Sequence, residues 1–134
     1  MAKKLEYKNT VIWDKDHLGL GSHYRQAYEF ILVAKKPGAK CIWNGAYNIS
    51  NLLKSRKPLS KPKSHPTPKP LELITQLIEL HSNKGNIILD PFAGSGTVLL
   101  ATKLLKRKII GIELDKKYCK LIVNRLEKYE FSVH

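Results

Sequence analysis

The feature that most constrains the fold is a glycine turn between two apolar segments. The turn runs from Asp90 to Thr97 with the sequence DPFAGSGT. An apolar run at 87–89 precedes it, and a helical pattern of apolar residues at 98–105 follows it. This order of strand, tight turn and helix is typical of open α/β sheets, which bind ligands at the carboxyl ends of their strands. The glycines allow the backbone to approach a ligand that a β-carbon would keep away.

Two carboxylates indicate the kind of ligand. Asp90 ends the first strand, and Glu113 follows the next apolar run, at the spacing of about 20 residues that suits a group binding ribose hydroxyls. Asp90 would repel the pyrophosphate of a dinucleotide but attract an ammonium group, and the turn departs from the G-x-G-x-x-G pattern. S-adenosylmethionine carries an ammonium, a sulfonium and no phosphate, so it is the predicted cofactor. The alternative is a corner whose glycines serve packing alone.

The charge of the chain favours a polyanionic partner. The 134 residues carry a net charge of +13, with a pI near 9.8, and no acidic residue occurs between Glu29 and Glu72. Such an excess of positive charge favours binding to nucleic acid. Phosphate contacts are predicted in the basic stretch at Lys54, Arg56, Lys57, Lys61 and Lys63. A solvated linker is the alternative interpretation of the same lysines.

Periodicity predicts an α/β chain in three regions. Region 1–35 is a hairpin of strands 9–15 and 27–35, and region 36–70 is a basic, proline-rich loop with a short helical turn around 49–53. Region 71–134 is a cofactor-binding α/β unit with helix 71–82, strand 86–90, helix 96–106, strand 108–113 and helix 116–130. Alternating helices and strands imply parallel strands, right-handed crossovers and a three-layer α/β/α sheet. Strands 87–90 and 109–113 are expected to be neighbours.

Other features limit the class of protein. No apolar run has the length of a membrane span, and the first residues lack the apolar stretch of a signal peptide. These observations predict a cytoplasmic protein. Cys41 and Cys119 are too few for a metal cluster, and a disulfide between them is disfavoured in that compartment. No metal site is therefore predicted.

Several sequence blocks together resemble one known family. They are HPTPKP at 65–70, DPFAGSGT at 90–97, and GIELD at 111–115 followed by Tyr118 and Arg125-Leu126. The stretches 11–22 and 28–32 resemble that family's terminal hairpin. Over residues 8–130 the chain resembles the C-terminal part of a β-class DNA amino-methyltransferase, which methylates adenine N6 or cytosine N4. The resemblance implies a Rossmann-like methyltransferase fold, S-adenosylmethionine as cofactor, DNA as partner and a place in restriction–modification, with adenine preferred to cytosine.

The resemblance also assigns roles to residues. Asp90 would meet the ammonium of the cofactor, the backbone from Phe92 to Thr97 would wrap its methionine part, and Glu113 would bind the ribose. Loop residues before the first helix would close the site, with Lys69 near the cofactor carboxylate. The predicted cofactor-binding set is His65, Thr67, Lys69, Asp90, Phe92, Ala93, Gly94, Ser95, Gly96, Thr97 and Glu113.

One departure from the family concerns catalysis. The family holds the target amine with a tetrapeptide such as Asp-Pro-Pro-Tyr, and this sequence contains none. The tetrapeptide would lie N-terminal to the hairpin, so we expect a partial domain with an incomplete sheet and no catalytic residue of its own. We expect either a homo-oligomer or a partner chain that carries the missing half. The alternative is a non-catalytic relic that binds S-adenosylmethionine, DNA or neither.

Overall fold

The computed structural model describes residues 4–19, 21–56 and 69–130. The chain divides into two compact units, Met1–Lys57 and Pro58–His134. The division falls inside the region 36–70 that the sequence predicts as a loop. Five predicted site residues lie outside the described residues: Lys57, Lys61, Lys63, His65 and Thr67.

The first unit contains a three-stranded sheet in the order β2-β1-β3. Strand β1 (Glu6–Asp14) pairs antiparallel with β2 (Tyr28–Lys35), which confirms the predicted hairpin. Strand β1 begins three residues earlier than its predicted start at 9, because its first residue is held in the ladder opposite Lys35. The Lys35 ammonium lies 3.1 Å from the Glu6 carboxylate and lowers the pKa of that group.

The third strand replaces the helical turn predicted around 49–53, which was wrong. Strand β3 (Leu52–Lys54) runs parallel to β1. The amide of Ile12 donates to the carbonyl of Asn51 over 2.7 Å, and the amide of Ser55 donates to Asp14 over 3.0 Å. These partners are about 40 residues away in sequence, so a three-residue strand shows no local periodicity from which to predict it.

Trp13 forms the centre of this first unit. Its side chain is 1% exposed, and its indole Nε1 donates to the carbonyl of Ser55 over 2.7 Å. Leu53 of β3 is also buried. The indole therefore joins the end of β3 to β1 through both apolar contact and a buried hydrogen bond, which is how a buried tryptophan satisfies its N–H group.

The second unit follows the predicted alternation closely. Its elements are α1 (Leu71–His81), β4 (Ile87–Asp90), α2 (Thr97–Leu104), β5 (Lys108–Gly111) and α3 (Lys116–Glu130). Strands β4 and β5 pair in parallel, which confirms that they are neighbours. Among the described strands, β4 pairs with β5, while β1 pairs with β2 and β3.

Helices cover one face of the β4-β5 pair. A core of Ala93, Leu99 and Ile122 joins the turn, α2 and α3, and Ile109 of β5 packs against it. The opposite face exposes four aliphatic side chains, and we call it the uncovered sheet face: Ile87 (63% exposed), Leu89 (59%), Ile110 (53%) and Ile112 (54%). The unit is thus an incomplete Rossmann-like α/β domain, in which the helices of residues 69–130 lie on one side of the sheet.

The described part of the chain has no helix long and apolar enough to cross a membrane. Both cysteines are free thiols, Cys41 exposed and Cys119 half-buried.

Candidate cofactor-binding site

The glycine turn lies at the carboxyl end of the β4-β5 pair. The amide of Ile112 donates to the carbonyl of Asp90, and the amide of Ala93 donates to the carbonyl of Ile112, each over 2.9 Å. These bonds continue the parallel ladder into the turn. Gly94 (φ 50°) and Gly96 (φ 75°) then take left-handed conformations, which glycine adopts without the cost a β-carbon would add.

Two carboxylates project from this edge, as the sequence predicts. The Asp90 Oδ1 accepts from the amide of Phe92 over 3.1 Å. The Glu113 Oε2 accepts from the amide of Gly94 over 2.7 Å, and its Oε1 accepts from the amide of Asp115 over 3.0 Å. A carboxylate offers about four lone-pair positions, so these backbone contacts orient each group rather than exhaust its acceptor capacity.

The side chains of the turn divide into exposed and buried positions. Phe92 is 88% exposed, whereas Ala93 and Thr97 are buried, with 6% and 4% of their surface exposed. Because the side chains of Ala93 and Thr97 are buried, these two residues can contribute only backbone groups to a ligand site. Lys69 is exposed and comes two residues before α1.

Close packing is a second reason for glycine at position 96, besides the left-handed backbone conformation. A β-carbon built on Gly96 would lie 2.9 Å from Ile122 Cγ1, inside the core between the turn and α3. We expect Gly96→Ala to lower the free energy of unfolding by about 2–4 kcal/mol, because strain at positive φ and overpacking add. Urea denaturation measures this loss.

Gly85→Ala is the matched control. Gly85 also has a positive φ, 81°, but a β-carbon there would meet nothing within 4 Å. It therefore isolates the backbone cost, about 1–2 kcal/mol. Equal losses for the two variants would show that α3 yields to the added methyl group and that close packing does not require glycine at this position.

Two features near the turn were not predicted from the sequence. Arg125 of α3 donates through Nη1 to the carbonyl of Ser95 over 2.8 Å. Leu114, next to Glu113, is 97% exposed. The contact of Arg125 depends on how α3 packs, and the exposure of Leu114 depends on where the chain leaves β5. Neither feature has a local pattern in the sequence from which it could be predicted.

A basic groove along α3 has a lining that includes neither of the two carboxylates. It encloses about 780 Å³ and is lined by Lys116, Lys117, Lys120, Leu121, Asn124, Arg125 and Lys128. Its cations would repel the ammonium and sulfonium of the predicted cofactor, whereas the strand ends present carboxylates. Charge therefore favours the strand ends over this groove as the cofactor site.

Only two of the predicted phosphate-binding residues lie within the described part of the chain. Lys54 and Arg56 are both exposed. The Lys54 ammonium lies 2.9 Å from Asp16 Oδ1, and this contact raises the pKa of Lys54 and lowers that of Asp16. Asp16 therefore offsets part of the positive charge that Lys54 would present to a phosphate.

The donors and acceptors at the strand ends fit S-adenosylmethionine. An ammonium group and ribose hydroxyls are hydrogen-bond donors, and Asp90 and Glu113 supply acceptors at the ends of adjacent strands. Phe92 and Leu114, which follow the two carboxylates closely in sequence, expose apolar side chains. A pyrophosphate would meet two negative charges here, so the arrangement disfavours a dinucleotide.

Comparison with known proteins identifies the family. Residues 1–124 match the DNA methylase family of N6- and N4-methyltransferases. This match covers all of the first compact unit and most of the second. The chain therefore belongs to the DNA methylase family, and its α/β fold is that of the DNA methyltransferases.

Relatives and solved structures agree with this assignment. The Type II methyltransferase M.HindIII of Haemophilus influenzae is 47% identical over 63% of this chain and 28% of its own. M2.DpnII of Streptococcus pneumoniae, also a Type II methyltransferase, is 32% identical over 88% of this chain and 41% of its own. The crystal structure of the M1.HpyAVI–SAM complex superposes with a TM-score of 0.78 at 40% identity, over 91% of this chain and 63% of that one. This chain therefore spans less than half the length of those two curated relatives.

Proposed function

We propose that this chain is the S-adenosylmethionine-binding part of a DNA amino-methyltransferase. The observation that carries the proposal is the pair of carboxylates at the ends of β4 and β5, with Glu113 bonded to the amide of Gly94 over 2.7 Å. A relative solved as a SAM complex has the same fold at 40% identity. We also propose DNA as its substrate and the cytoplasm as its location.

Each part of the site has its own task in this proposal. The cofactor supplies an electrophilic methyl group when it is bound. Asp90 accepts hydrogen bonds from its ammonium, Glu113 accepts from its ribose hydroxyls, and Leu114 and Phe92 shield its apolar parts from water. Lys69 meets its carboxylate from the side of α1. Because the electrophile comes with the cofactor, the protein contributes mainly orientation and exclusion of water.

Adenine N6 is the proposed target in preference to cytosine N4. The DNA adenine methyltransferase YhdJ of Escherichia coli is 39% identical over 60% of this chain. The cytosine-N4-specific PvuII DNA methyltransferase is only 19% identical, although it superposes with a TM-score of 0.77. The first likeness supports the target base, and the second supports the fold alone.

Calorimetric titration with two ligands tests the cofactor assignment. We expect S-adenosylmethionine to bind the chain with measurable heat and NAD⁺ to give none, because the two carboxylates attract an ammonium and repel a pyrophosphate. S-adenosylhomocysteine, which retains the ammonium and ribose, serves as the positive control. Tighter binding of NAD⁺ than of S-adenosylmethionine would reject the proposed cofactor.

The uncovered sheet face points to the proposed partner of this chain. Four aliphatic side chains there are more than half exposed, and covering each would contribute roughly 1 kcal/mol. The chain spans 63% of the M1.HpyAVI chain, so that relative has further residues which this chain does not match. We propose that the rest of a methyltransferase domain, with the base-holding tetrapeptide, covers this face, either as another segment or as a partner chain.

A non-catalytic relic is the second candidate function. It is favoured by the absence of an Asp-Pro-Pro-Tyr-like tetrapeptide from the 134 residues. The two candidate functions differ in how the chain responds when the rest of a methyltransferase domain is added. A cofactor-binding half regains methyl transfer when the rest of the domain is supplied, whereas a relic does not.

DNA contacts are proposed for the basic stretch at 54–63. We expect replacement of Lys54, Arg56, Lys57, Lys61 and Lys63 by Gln to flatten the salt dependence of DNA binding. Each lost phosphate contact reduces the slope of log K against log salt by about 0.9 on duplex DNA. Lys54 is expected to contribute least, because Asp16 lies 2.9 Å from its ammonium. Fluorescence anisotropy at several salt concentrations measures the slope.

A control with the same change in charge separates contact from net charge. Five exposed lysines of the second unit, Lys84, Lys106, Lys108, Lys116 and Lys120, are replaced by Gln. Phosphate contacts position a protein without reading sequence, so the weakening by the first set is expected to be similar on unrelated duplexes. If both sets reduce the slope equally, the stretch at 54–63 is a solvated linker.

A further inference from the structure

Arg125 connects α3 to the glycine turn at 94–97. Its Nη1 donates to the carbonyl of Ser95 over 2.8 Å and reaches Thr97 Oγ1 at 3.4 Å. The guanidinium is half-buried, and this burial lowers the pKa of Arg125. Burying part of a charged group costs free energy unless hydrogen bonds compensate, and here the compensating acceptors belong to the turn.

The carbonyl that Arg125 binds lies at the centre of the glycine turn. Ser95 lies between Gly94 and Gly96, both in left-handed conformations. Glycines have the widest choice of backbone conformations, so a Gly-Ser-Gly segment without tethers would sample many shapes. A hydrogen bond to the central carbonyl therefore restricts the segment more than a bond to either flank.

The turn is held on its two sides by different elements. On the β5 side, the amide of Gly94 donates to Glu113 and the amide of Ala93 donates to Ile112. On the α3 side, Arg125 binds the carbonyl of Ser95, and Ile122 packs against Gly96. The β5 contacts involve a group proposed to bind the ribose, whereas Arg125 binds the turn through a carbonyl on the α3 side.

We propose that Arg125 is a positioning residue that holds the glycine turn in its cofactor-binding shape before the cofactor arrives. The proposal rests on the assignment of the turn to S-adenosylmethionine. A turn that is already ordered pays less conformational entropy when the ligand binds. In this proposal Arg125 acts on the cofactor site through the backbone of residues 94–97.

Arg125→Met is the principal test, because methionine keeps much of the length and apolar bulk but has no donor. We expect hydrogen exchange at the amides of Gly94 and Gly96, followed by NMR, to accelerate about tenfold on loss of one charge-assisted hydrogen bond. The Kd for S-adenosylmethionine is expected to rise by a similar factor. Arg125→Lys keeps a cation and one donor, and it is expected to recover part of both changes.

Arg107→Met is the matched control. Arg107 is another half-buried arginine of the second unit, and it donates to Ser82 and Leu105, which lie outside the turn. We expect this variant to lower the midpoint of urea unfolding while exchange at Gly94 and Gly96 follows the global stability alone. A general loss of stability would affect both arginine variants alike, whereas a positioning role affects the turn only in Arg125→Met.

The outcomes separate this proposal from the proposed function. Unchanged exchange at Gly94 and Gly96 in Arg125→Met, relative to Arg107→Met at equal stability, would overturn the positioning role. Failure of the wild-type chain to bind S-adenosylmethionine would overturn the cofactor assignment, while exchange in the turn would still decide what Arg125 does. Should Arg125→Met fail to fold, the shorter and neutral Arg125→Gln takes its place, and exchange at Gly94 and Gly96 in that variant equal to exchange in Arg107→Met at equal stability would overturn the proposal.

Discussion

Incubated alone with tritiated S-adenosylmethionine and unmethylated DNA, this chain is expected to transfer no measurable methyl group to the DNA. A base inside a duplex must be turned out into a pocket before its amine can meet the methyl group. The family builds that pocket with a tetrapeptide such as Asp-Pro-Pro-Tyr, and this sequence has neither Asp-Pro-Pro nor Asn-Pro-Pro. Orientation of the base supplies a large part of such catalysis. Without a group that orients the base, we expect no turnover, although the cofactor site can still form.

Two controls make the negative result informative. Calorimetry on the same sample checks that the cofactor binds, so that absence of turnover is not absence of a folded site. Sedimentation gives the oligomeric state. A monomer would fit the proposal that another part of a methyltransferase domain covers the uncovered sheet face, whereas a dimer would fit its coverage by a second copy. Robust incorporation of tritium by the pure chain would show that other residues hold the base.

Sequence reasoning predicted the second unit well, because its information is local. Each element from α1 to α3 is a contiguous run with its own periodicity, and short loops connect consecutive elements. The pairing of β4 with β5 follows from the alternation of helix and strand. Helix α3 has the predicted bounds, and its apolar positions include Ile122, which is buried in the core.

The first unit was harder to predict because its decisive contacts join distant segments. Strand β3 has three residues and exists through its pairing with β1, so no window of sequence around it shows strand periodicity. The indole of Trp13 is fixed by the carbonyl of Ser55, 42 residues away. Such partners become neighbours only after the chain has folded.

Different parts of the candidate site were also predictable to different degrees. Asp90 and Glu113 were predicted because each follows an apolar strand, and the parallel pairing brings those strand ends together. The bond from Gly94 to Glu113 was not predicted, because it depends on the left-handed turn between them. The contact of Arg125 with Ser95 depends on how α3 packs against α2, and sequence periodicity gives only the face of the helix.

Asp90→Ala and Glu113→Ala are each expected to weaken binding of S-adenosylmethionine by about 1–3 kcal/mol, the cost of losing hydrogen bonds to a charged group. Asp90 would lose its contact with the ammonium. Glu113 would lose the ribose contacts and would also release the amide of Gly94, so the larger effect is expected at Glu113. Glu127→Ala removes an exposed acid of α3 and is the control for the change in net charge.

The most direct test of the central claim is calorimetric titration of four proteins with S-adenosylmethionine: the wild type, Asp90→Ala, Glu113→Ala and Glu127→Ala. The account predicts that wild type and Glu127→Ala bind alike, while the other two bind roughly 5- to 150-fold more weakly. Urea unfolding of each protein checks that the variants are folded. Failure of the wild type to bind would favour the relic. Equal binding by all four proteins would contradict the claim that the ends of β4 and β5 hold the cofactor.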